Sequence, residues 1–391
     1  MKRNALSVLL RELAVHLRAA KYTPDALAER LGIRVPDDIG PLNHAAAIER
    51  LRDDTSAAAT LTRLFFLEVD ESPGHVLDAP TQDAMRAAGL LRTRHRRITP
   101  RLRLDPIGDQ WLLSDLRFRS PDPRALGLPA GDPVYPPSSD SLLLRDAVVC
   151  PDANRVLDLC TGSGVQALSV AVHCRDVVAV DVSARAAAMT RANAALNCVT
   201  NIEVRVGDLY GPVAGERFDL VMANPPFVPS PYRRGPAYHS GGPTGARVLK
   251  RIVAGLAEVL QPAGRFFAVS HLALRDRETA ADVVRPWFGN FPGRALALVL
   301  ERGSAIDLAA AQALFALNAG LAAYAAEVHR WVAYLRRHRV REVILVLLVA
   351  ERGGRRRAVE VIEALQRTLP LPLSHPPRHH IEQWLATLIR R

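Results

Sequence analysis

Val156-Leu157-Asp158-Leu159-Cys160-Thr161-Gly162-Ser163-Gly164-Val165-Gln166-Ala167 is the stretch on which the fold of this 391-residue chain turns. A short apolar run, a glycine-rich turn and a renewed apolar pattern predict a buried strand feeding the start of a helix. Glycines admit positive φ and let a ligand approach the backbone, while a helix start offers N–H groups that lack intrahelical partners.

Working outward, strand and helix alternate. Strands are predicted at 155–159, 177–181, 202–206, 218–223, 264–270, 294–301 and 342–350. This is the pattern of a Rossmann-like, seven-stranded, doubly wound α/β sheet. The helical stretch 307–339 is too long for one crossover and is read as two helices. A helix at 356–367, a Pro-rich turn and a closing helix near 381–389 complete the tail.

The glycine spacing by itself also suits nicotinamide enzymes. The acids around it favour another ligand. Asp158 lies four residues before Gly162, where a carboxylate would repel a pyrophosphate but could receive the ammonium of a methionine moiety. Asp181 closes the next strand and is placed for ribose hydroxyls, as strand-end acids are in this architecture. Asp208, after the third strand, is placed for an adenine amino group, with Leu209 flanking the ring. Each acid alone reads equally as a surface carboxylate. Three at successive strand ends point to S-adenosylmethionine (SAM) as cofactor.

Asn224-Pro225-Pro226-Phe227 follows the strand Phe218-Asp219-Leu220-Val221-Met222-Ala223, at the carboxyl edge of the predicted sheet. Asn-Pro-Pro can end a strand by turn chemistry alone. Together with residues 134–141, Asp158 to Gly164, Asp181 and Asp208, however, the tetrapeptide resembles the class I SAM-dependent methyltransferases with an NPPF/Y motif. These include the release-factor glutamine and the adenine-N6 and guanine-N2 nucleic-acid methyltransferases. The resemblance spans about 134–270. It implies catalytic roles for Asn224, Pro225, Pro226 and Phe227. It further implies cofactor contacts from Asp140, Ser141, Asp158, Cys160, Thr161, Gly162, Gly164, Asp181, Val182, Asp208, Leu209 and Asn224.

A nitrogen conjugated to a carbonyl or ring is a poor nucleophile. The Asn224 side-chain carbonyl and the Pro225 backbone carbonyl can both accept from such an NH2 group, and the two prolines stiffen the loop that carries them. Phe227 can stack on a planar group. The Gly- and Pro-rich segment 228–245 that follows can order over a substrate, with Tyr232, Arg233, Arg234, Tyr238 and His239 lining it or simply solvated. A helix at 246–260 and the turn Gln261-Pro262-Ala263-Gly264 extend the resemblance. Glutamine-modifying members often carry Glu after the next strand, whereas this one runs Phe266-Phe267-Ala268-Val269-Ser270, which disfavours that substrate.

The front of the chain is helical. Helices are predicted at 4–20, from a Thr23 cap with Pro24 in its first turn to Gly32, and near 43–52, 56–68 and 80–88. Two strands, 97–104 and 110–116, are joined by the turn Asp105-Pro106-Ile107-Gly108-Asp109. This order resembles a winged-helix domain over 1–125, leaving 126–391 for the methyltransferase domain: a loop and helix at 134–150, the core at 151–350 and a tail at 355–391. Arg92, Arg94, His95, Arg96, Arg97, Arg101 and Arg103 could track a phosphate backbone or form a solvated face.

The formal charge of +11 fits a polyanionic partner, although Lys occurs only at 2, 21 and 250 and such Arg usage also suits a GC-rich genome. Cys150, Cys160, Cys174 and Cys198 show no zinc or disulfide spacing, so no metal is expected and a cytoplasmic setting is. Arg11 and Glu12 interrupt the first apolar run too early for a signal peptide, and no run reaches the roughly 20 residues of a membrane span. The expectation is an N-methyltransferase acting on a planar amino or amide nitrogen of RNA, DNA or a translation-related protein. The alternatives are a small-molecule methyltransferase with the front domain as lid or dimer contact, and a non-catalytic SAM-sensing regulator.

Overall fold

A computed structural model describes residues 3–72, 79–94, 96–149, 153–232, 241–353 and 358–363. The chain divides into two compact units. One comprises Met1–Ser139, Thr161–Leu168 and Asp181–Val206; the other comprises Asp140–Cys160, Ser169–Val180 and Gly207–Arg391.

In the first unit the front helices are α1 (Arg3–Ala19), α2 (Pro24–Leu31), α3 (His44–Arg50), α4 (Ala57–Leu61) and α5 (Ala79–Ala87). The Thr23 hydroxyl accepts from the Ala26 amide at 3.2 Å, and Gly32 ends α2 at φ +66°. The predicted helix 56–68 is α4 followed by one π-helical turn, Thr62–Phe66. Two hairpins follow in place of the single one expected: β1 (Leu91–Arg94) with β2 (Arg97–Pro100), and β3 (Arg103–Ile107) with β4 (Gln110–Ser114). The break falls at Arg101–Leu102, and the second turn is only Gly108-Asp109, with Gly108 at φ +57°. Register explains the difference, because Asp105 pairs with Leu112 inside the ladder and is not part of the turn.

This also corrects the reading of the basic run. Arg103 is fully buried, its Nε 2.9 Å from Asp105 and its Nη1 donating to the Phe66 carbonyl at 2.7 Å. Arg101 is paired with Asp122 at 2.9 Å and Arg97 donates to the Asp70 carbonyl at 2.6 Å. His95 and the Arg94 side chain lie outside the described residues.

Later in the chain come α6 (Ser139–Ala147), β5 (Arg155–Leu159), α7 (Val165–Ala171), β6 (Asp176–Asp181), α8 (Ala184–Leu196) and β7 (Ile202–Val206). Helix α8 is part of the first unit's core: Ala186, Met189, Ala192 and Leu196 pack in one cluster with Leu10, Leu13, Leu17 and Phe65. Its Asn193 accepts from the Leu113 amide at 2.8 Å and donates to the Leu113 carbonyl at 2.9 Å. Asn197 does the same for Trp111, at 2.9 and 2.7 Å. Four residues along a helix rise about 6 Å and two along a strand about 6.8 Å, so the two amides act as a neighbouring strand for β4. Arg185 of the same helix is buried and forks onto the buried Asp115 at 2.5 and 2.8 Å.

The second unit continues with β8 (Phe218–Ala223), α9 (Arg247–Val259), β9 (Leu260–Arg275), α10 (Ala280–Val284), β10 (Gly293–Ser304), α11 (Ala305–Ala313), α12 (Leu321–Arg337), β11 (Val340–Arg352) and β12 (Ala358–Glu363). Its strands neighbour one another in the order β12-β10-β11-β9-β8-β5-β6. β5 runs parallel to β6 and β8, and β9 parallel to β8, while β11 is antiparallel to both β9 and β10. Six of the seven expected strands fall in this unit, which among the described residues carries one strand more.

The additional strand is β12, where a helix was expected at 356–367. Alternating Val359, Val361 and the pairs Arg294–Glu360 and Arg302–Glu363 hold it parallel to the open edge of β10. Residues 354–357 and 364–391, with the helix expected at 381–389, lie outside the described residues. The turn Gln261-Pro262-Ala263-Gly264 is a bulge within the long β9: its register against β8 slips between Phe218 and Leu220, and Ala263 takes φ +62°. The stretch 307–339 is two helices, separated by a short 3-10 segment and Gly320 at φ +101°.

Replacing Asn193 by Ala strands the Leu113 N–H and C=O in the core, at about 1–3 kcal/mol for each unpaired group. The urea midpoint should fall accordingly; an unchanged midpoint would show that the edge of β4 is satisfied otherwise.

Candidate active site

Asn224 leaves the carboxyl end of β8 and meets the first turn of α6. Its side-chain nitrogen lies 2.7 Å from Asp140 Oδ2 and 3.2 Å from Ser141 Oγ. A carboxylate accepts and does not donate, so the end of the carboxamide facing Asp140 must be the NH2. The carbonyl oxygen is thereby left for a donor from outside. Asp140 and Ser141, expected at the cofactor, are brought to Asn224.

The motif is backed on its far side. Phe227 meets His271 of β9 edge-on, with centroids 4.8 Å apart. Burial pushes the His271 imidazole below its ordinary range, while the charge of Asp140 pulls the other way. Sequence reasoning missed His271, since a strand-interior His carries no local signal. Glycines close the segment after the motif. A Cβ on Gly245, which sits at φ +79°, would stand 2.0 Å from the Phe227 carbonyl oxygen, and the Gly241 amide donates to the Val228 carbonyl at 3.0 Å. Arg233, Arg234, Tyr238 and His239 lie outside the described residues.

Elsewhere in the second unit, Asp158 is buried in β5, in register with Ala179 and Met222. Cys160 just beyond it adopts φ +58°, and Leu209 adopts φ +48° immediately after Asp208. Left-handed backbone at non-glycine residues costs on the order of 1–3 kcal/mol and gathers at ligand sites. Of the ten such residues among those described, these two fall at turns where cofactor contacts were expected. Asp208 is engaged by Arg251 of α9 at 2.7 and 3.2 Å, a partner the sequence did not reveal. Tyr210 next to it donates to the Ile252 carbonyl at 2.7 Å, and its ring lies where a Cβ on Gly255 would be, 2.5 Å away.

In the first unit, the glycine-rich turn rests on Asp181 and α8. Asp181 accepts from the Gly162 amide at 3.0 Å and from Ser183 at 2.8 Å. Burial raises its carboxyl pKa, against the N–H groups of Ser183, Gly162 and Val182. Thr190 donates to the Gly162 carbonyl at 3.0 Å and Asn193 to that of Ser163 at 2.8 Å. Gly164 sits at φ +86°, and a Cβ there would stand 2.8 Å from the Thr190 methyl. Thr161 is buried, whereas Val182 is exposed. Donors, acids and strained turns of these kinds suit a zwitterionic nucleoside such as SAM. Among the described residues no group of three metal-ligating side chains occurs, and no helix is long and apolar enough to cross a membrane.

Comparison with known proteins gives the same picture. The methyltransferase small domain family matches residues 139–291, and a domain of unknown function (DUF7059) matches 19–101. A release factor glutamine methyltransferase of Mycolicibacterium smegmatis is 34% identical over 185 residues, covering 42% of this chain and 63% of that relative. A putative protein N5-glutamine methyltransferase of Methanocaldococcus jannaschii is 32% identical over 137 residues, covering 34% of this chain and 68% of its own. The chain spans only 33% of the length of a Thermodesulfovibrio yellowstonii release factor glutamine methyltransferase, at 35% identity over 23% of this chain. Among solved structures, a T. thermophilus 16S rRNA N2 methyltransferase with AdoMet and guanosine has 16% identity and a TM-score of 0.37, covering 76% of this chain and 70% of that one.

The buried imidazole sets a pH dependence. With the folded pKa of His271 below the ordinary 6.5, the folded protein binds fewer protons than the unfolded chain between the two values. The stability tied to this site is full above about pH 6.5 and falls as pH drops through the folded value. His271→Gln should therefore flatten the acid side of the urea-midpoint profile. A profile parallel to that of the native protein would rule out a lowered pKa.

Proposed function

Because this chain belongs to the class I SAM-dependent methyltransferases, we propose that it methylates a planar nitrogen of a macromolecule, with a side-chain carboxamide of a translation-related protein as the favoured acceptor. The observation that carries this reading is the fixed orientation of Asn224, whose NH2 is held by Asp140 and Ser141. Support for a protein acceptor comes from relatives that include release factor and ribosomal protein uL3 glutamine methyltransferases. It outweighs the missing Glu at the Phe266–Ser270 stretch of β9, since one position of a substrate pocket is weaker support than similarity over 137 to 185 residues. The division into a front domain, 1–125, and a methyltransferase domain, 126–391, belongs to the same proposal.

SAM supplies a methyl group already activated on a sulfonium. What the protein must add is orientation, which in favourable systems provides up to about 7–11 kcal/mol. The Asn224 carbonyl oxygen accepts one N–H of the acceptor nitrogen, and the Pro225 backbone carbonyl the other. Both acceptors are preorganised, the first by Asp140 and Ser141 and the second by the proline ring. With its N–H groups held, the nitrogen lone pair is turned out of conjugation. With SAM bound, a carbon–nitrogen bond would form as the carbon–sulfur bond breaks, the sulfur leaving as a neutral thioether and the surplus proton of the nitrogen passing to water. Phe227, braced by His271, offers a face to the planar group. For the cofactor, Asp158 is the proposed partner of the ammonium, Asp181 of the ribose and Asp208 with Leu209 of the adenine; Cys160, Thr161, Gly162, Gly164 and Val182 supply the surrounding backbone.

Methyl-labelled SAM incubated with a cell extract separated into protein, RNA, DNA and small-molecule pools tests the reading. Label should enter protein with the native enzyme and fall by about 10²-fold or more with Asn224→Ala. Label in RNA or in small molecules alone would replace the proposed acceptor. A finer variant is Asp140→Asn, which can present either an oxygen or an NH2 to Asn224 and so releases its orientation. It should lower kcat while SAM affinity, measured by calorimetry, stays near native; an unchanged kcat would remove the orienting role.

A further inference from the structure

Antiparallel neighbours such as β10 and β11 can be joined by a two-residue turn. Here residues 305–339 intervene, including α11 and α12, so the sheet does not need them. They touch Ala273 of β9, Val340 and Val343 of β11, and, beyond the sheet, the segment leaving the catalytic tetrapeptide. Val228 packs in one cluster with Ala309, Trp331, Leu335 and Val343, and Phe227 lies against that cluster.

The polar contacts converge on Glu327 of α12. The Tyr232 hydroxyl donates to Glu327 Oε1, and the Trp331 indole N–H donates to the same oxygen at 2.9 Å. Arg330 bridges the pair, donating to the Tyr232 hydroxyl at 2.8 Å and to Glu327 Oε2 at 2.9 Å. On the return side, the Tyr334 hydroxyl donates to the Pro243 carbonyl at 3.4 Å. Helix α12 thus grips the segment at both described ends, residues 228–232 and 241–245. The grip is specific to the loop, because none of these bonds serves the sheet.

We propose that α11 and α12 are the acceptor-side support of the active site, with Glu327 as a positioning residue that fixes the segment beyond Phe227 through Tyr232 and Trp331. This rests on the methyl-transfer reading above. Glu327 meets no reacting atom; it sets where the wall of the acceptor pocket stands. Acceptor selection therefore lies in an insertion that the cofactor half of the fold does not require.

The test compares native protein with Glu327→Ala, Glu327→Gln and Tyr232→Phe. Each is assayed with methyl-labelled SAM and increasing amounts of the macromolecular fraction of a cell extract. Glu327→Ala should raise the half-saturating amount of that fraction, or lower the rate, on the order of ten- to a hundredfold, as misplacement of a substrate wall does. SAM affinity by calorimetry should stay near native. Glu327→Gln, whose carbonyl still accepts from Tyr232 and Trp331, should recover part of the loss. Hydrogen exchange should quicken at the amides of 228–232 and 241–245 and remain native in β5 and β8. An active native enzyme with native acceptor saturation in all three variants overturns this inference alone, as does loss of SAM binding in step with acceptor use. A native protein that labels no macromolecule overturns the functional reading, and the acceptor role with it.

Discussion

A carboxamide has a donor end and an acceptor end, and what this site can do depends on which end Asn224 turns outward. Asp140 and Ser141 take the donor end. The acceptor end is then available without any rearrangement when a substrate arrives, and preorganisation of this kind is where a positioning enzyme gains most. Pro225 and Pro226 limit the backbone that carries it, Gly245 lies against the Phe227 carbonyl where no side chain would fit, and His271 supports the Phe227 ring. The motif is therefore fixed from three directions by residues far apart in the chain.

The first unit shows how a glycine-rich turn can be held by more than its own strand and helix. Helix α8 donates from Thr190 and Asn193 to carbonyls of that turn, and with its remaining amide capacity it closes the edge of β4. Arg185 and Asp115 are buried together, with the Pro129 carbonyl taking a further bond from Arg185 at 3.2 Å. Such pairs are costly to desolvate, and removing one partner alone costs about 3–5 kcal/mol because the other charge is left buried. Here that pair lies where helix α8 and the front helices share a single core.

The second unit carries two additions, at different places in the sheet. An insertion of two helices packs on the outgoing loop, and β12 extends the sheet at the far edge from β5 and β6. The parallel strands β5, β6 and β8 carry the buried acid and the motif, while the antiparallel strands β10 and β11 carry the insertion. On the proposed reading, chemistry and acceptor handling fall to different parts of one sheet.

The sequence by itself determined the parts that local pattern encodes. Strand, turn and helix from Val156 to Ala167, the acids Asp158, Asp181 and Asp208, the cap at Thr23 and the tetrapeptide at the end of β8 all follow from spacings of a few residues, where period and turn chemistry act directly. The tertiary structure alone decided which partners those residues meet. Asp140 reaches Asn224 across 84 positions, Glu327 reaches Tyr232 across 95, and Arg103 disappears into a core ion pair instead of joining a basic surface. Residues 358–363 became a strand because an open edge with Arg294 and Arg302 was waiting for them. The physical reason is common to all of these: a carboxylate, a guanidinium or an amide reads the same in any sequence, and its role is set by the donor or acceptor that folding brings within about 3 Å.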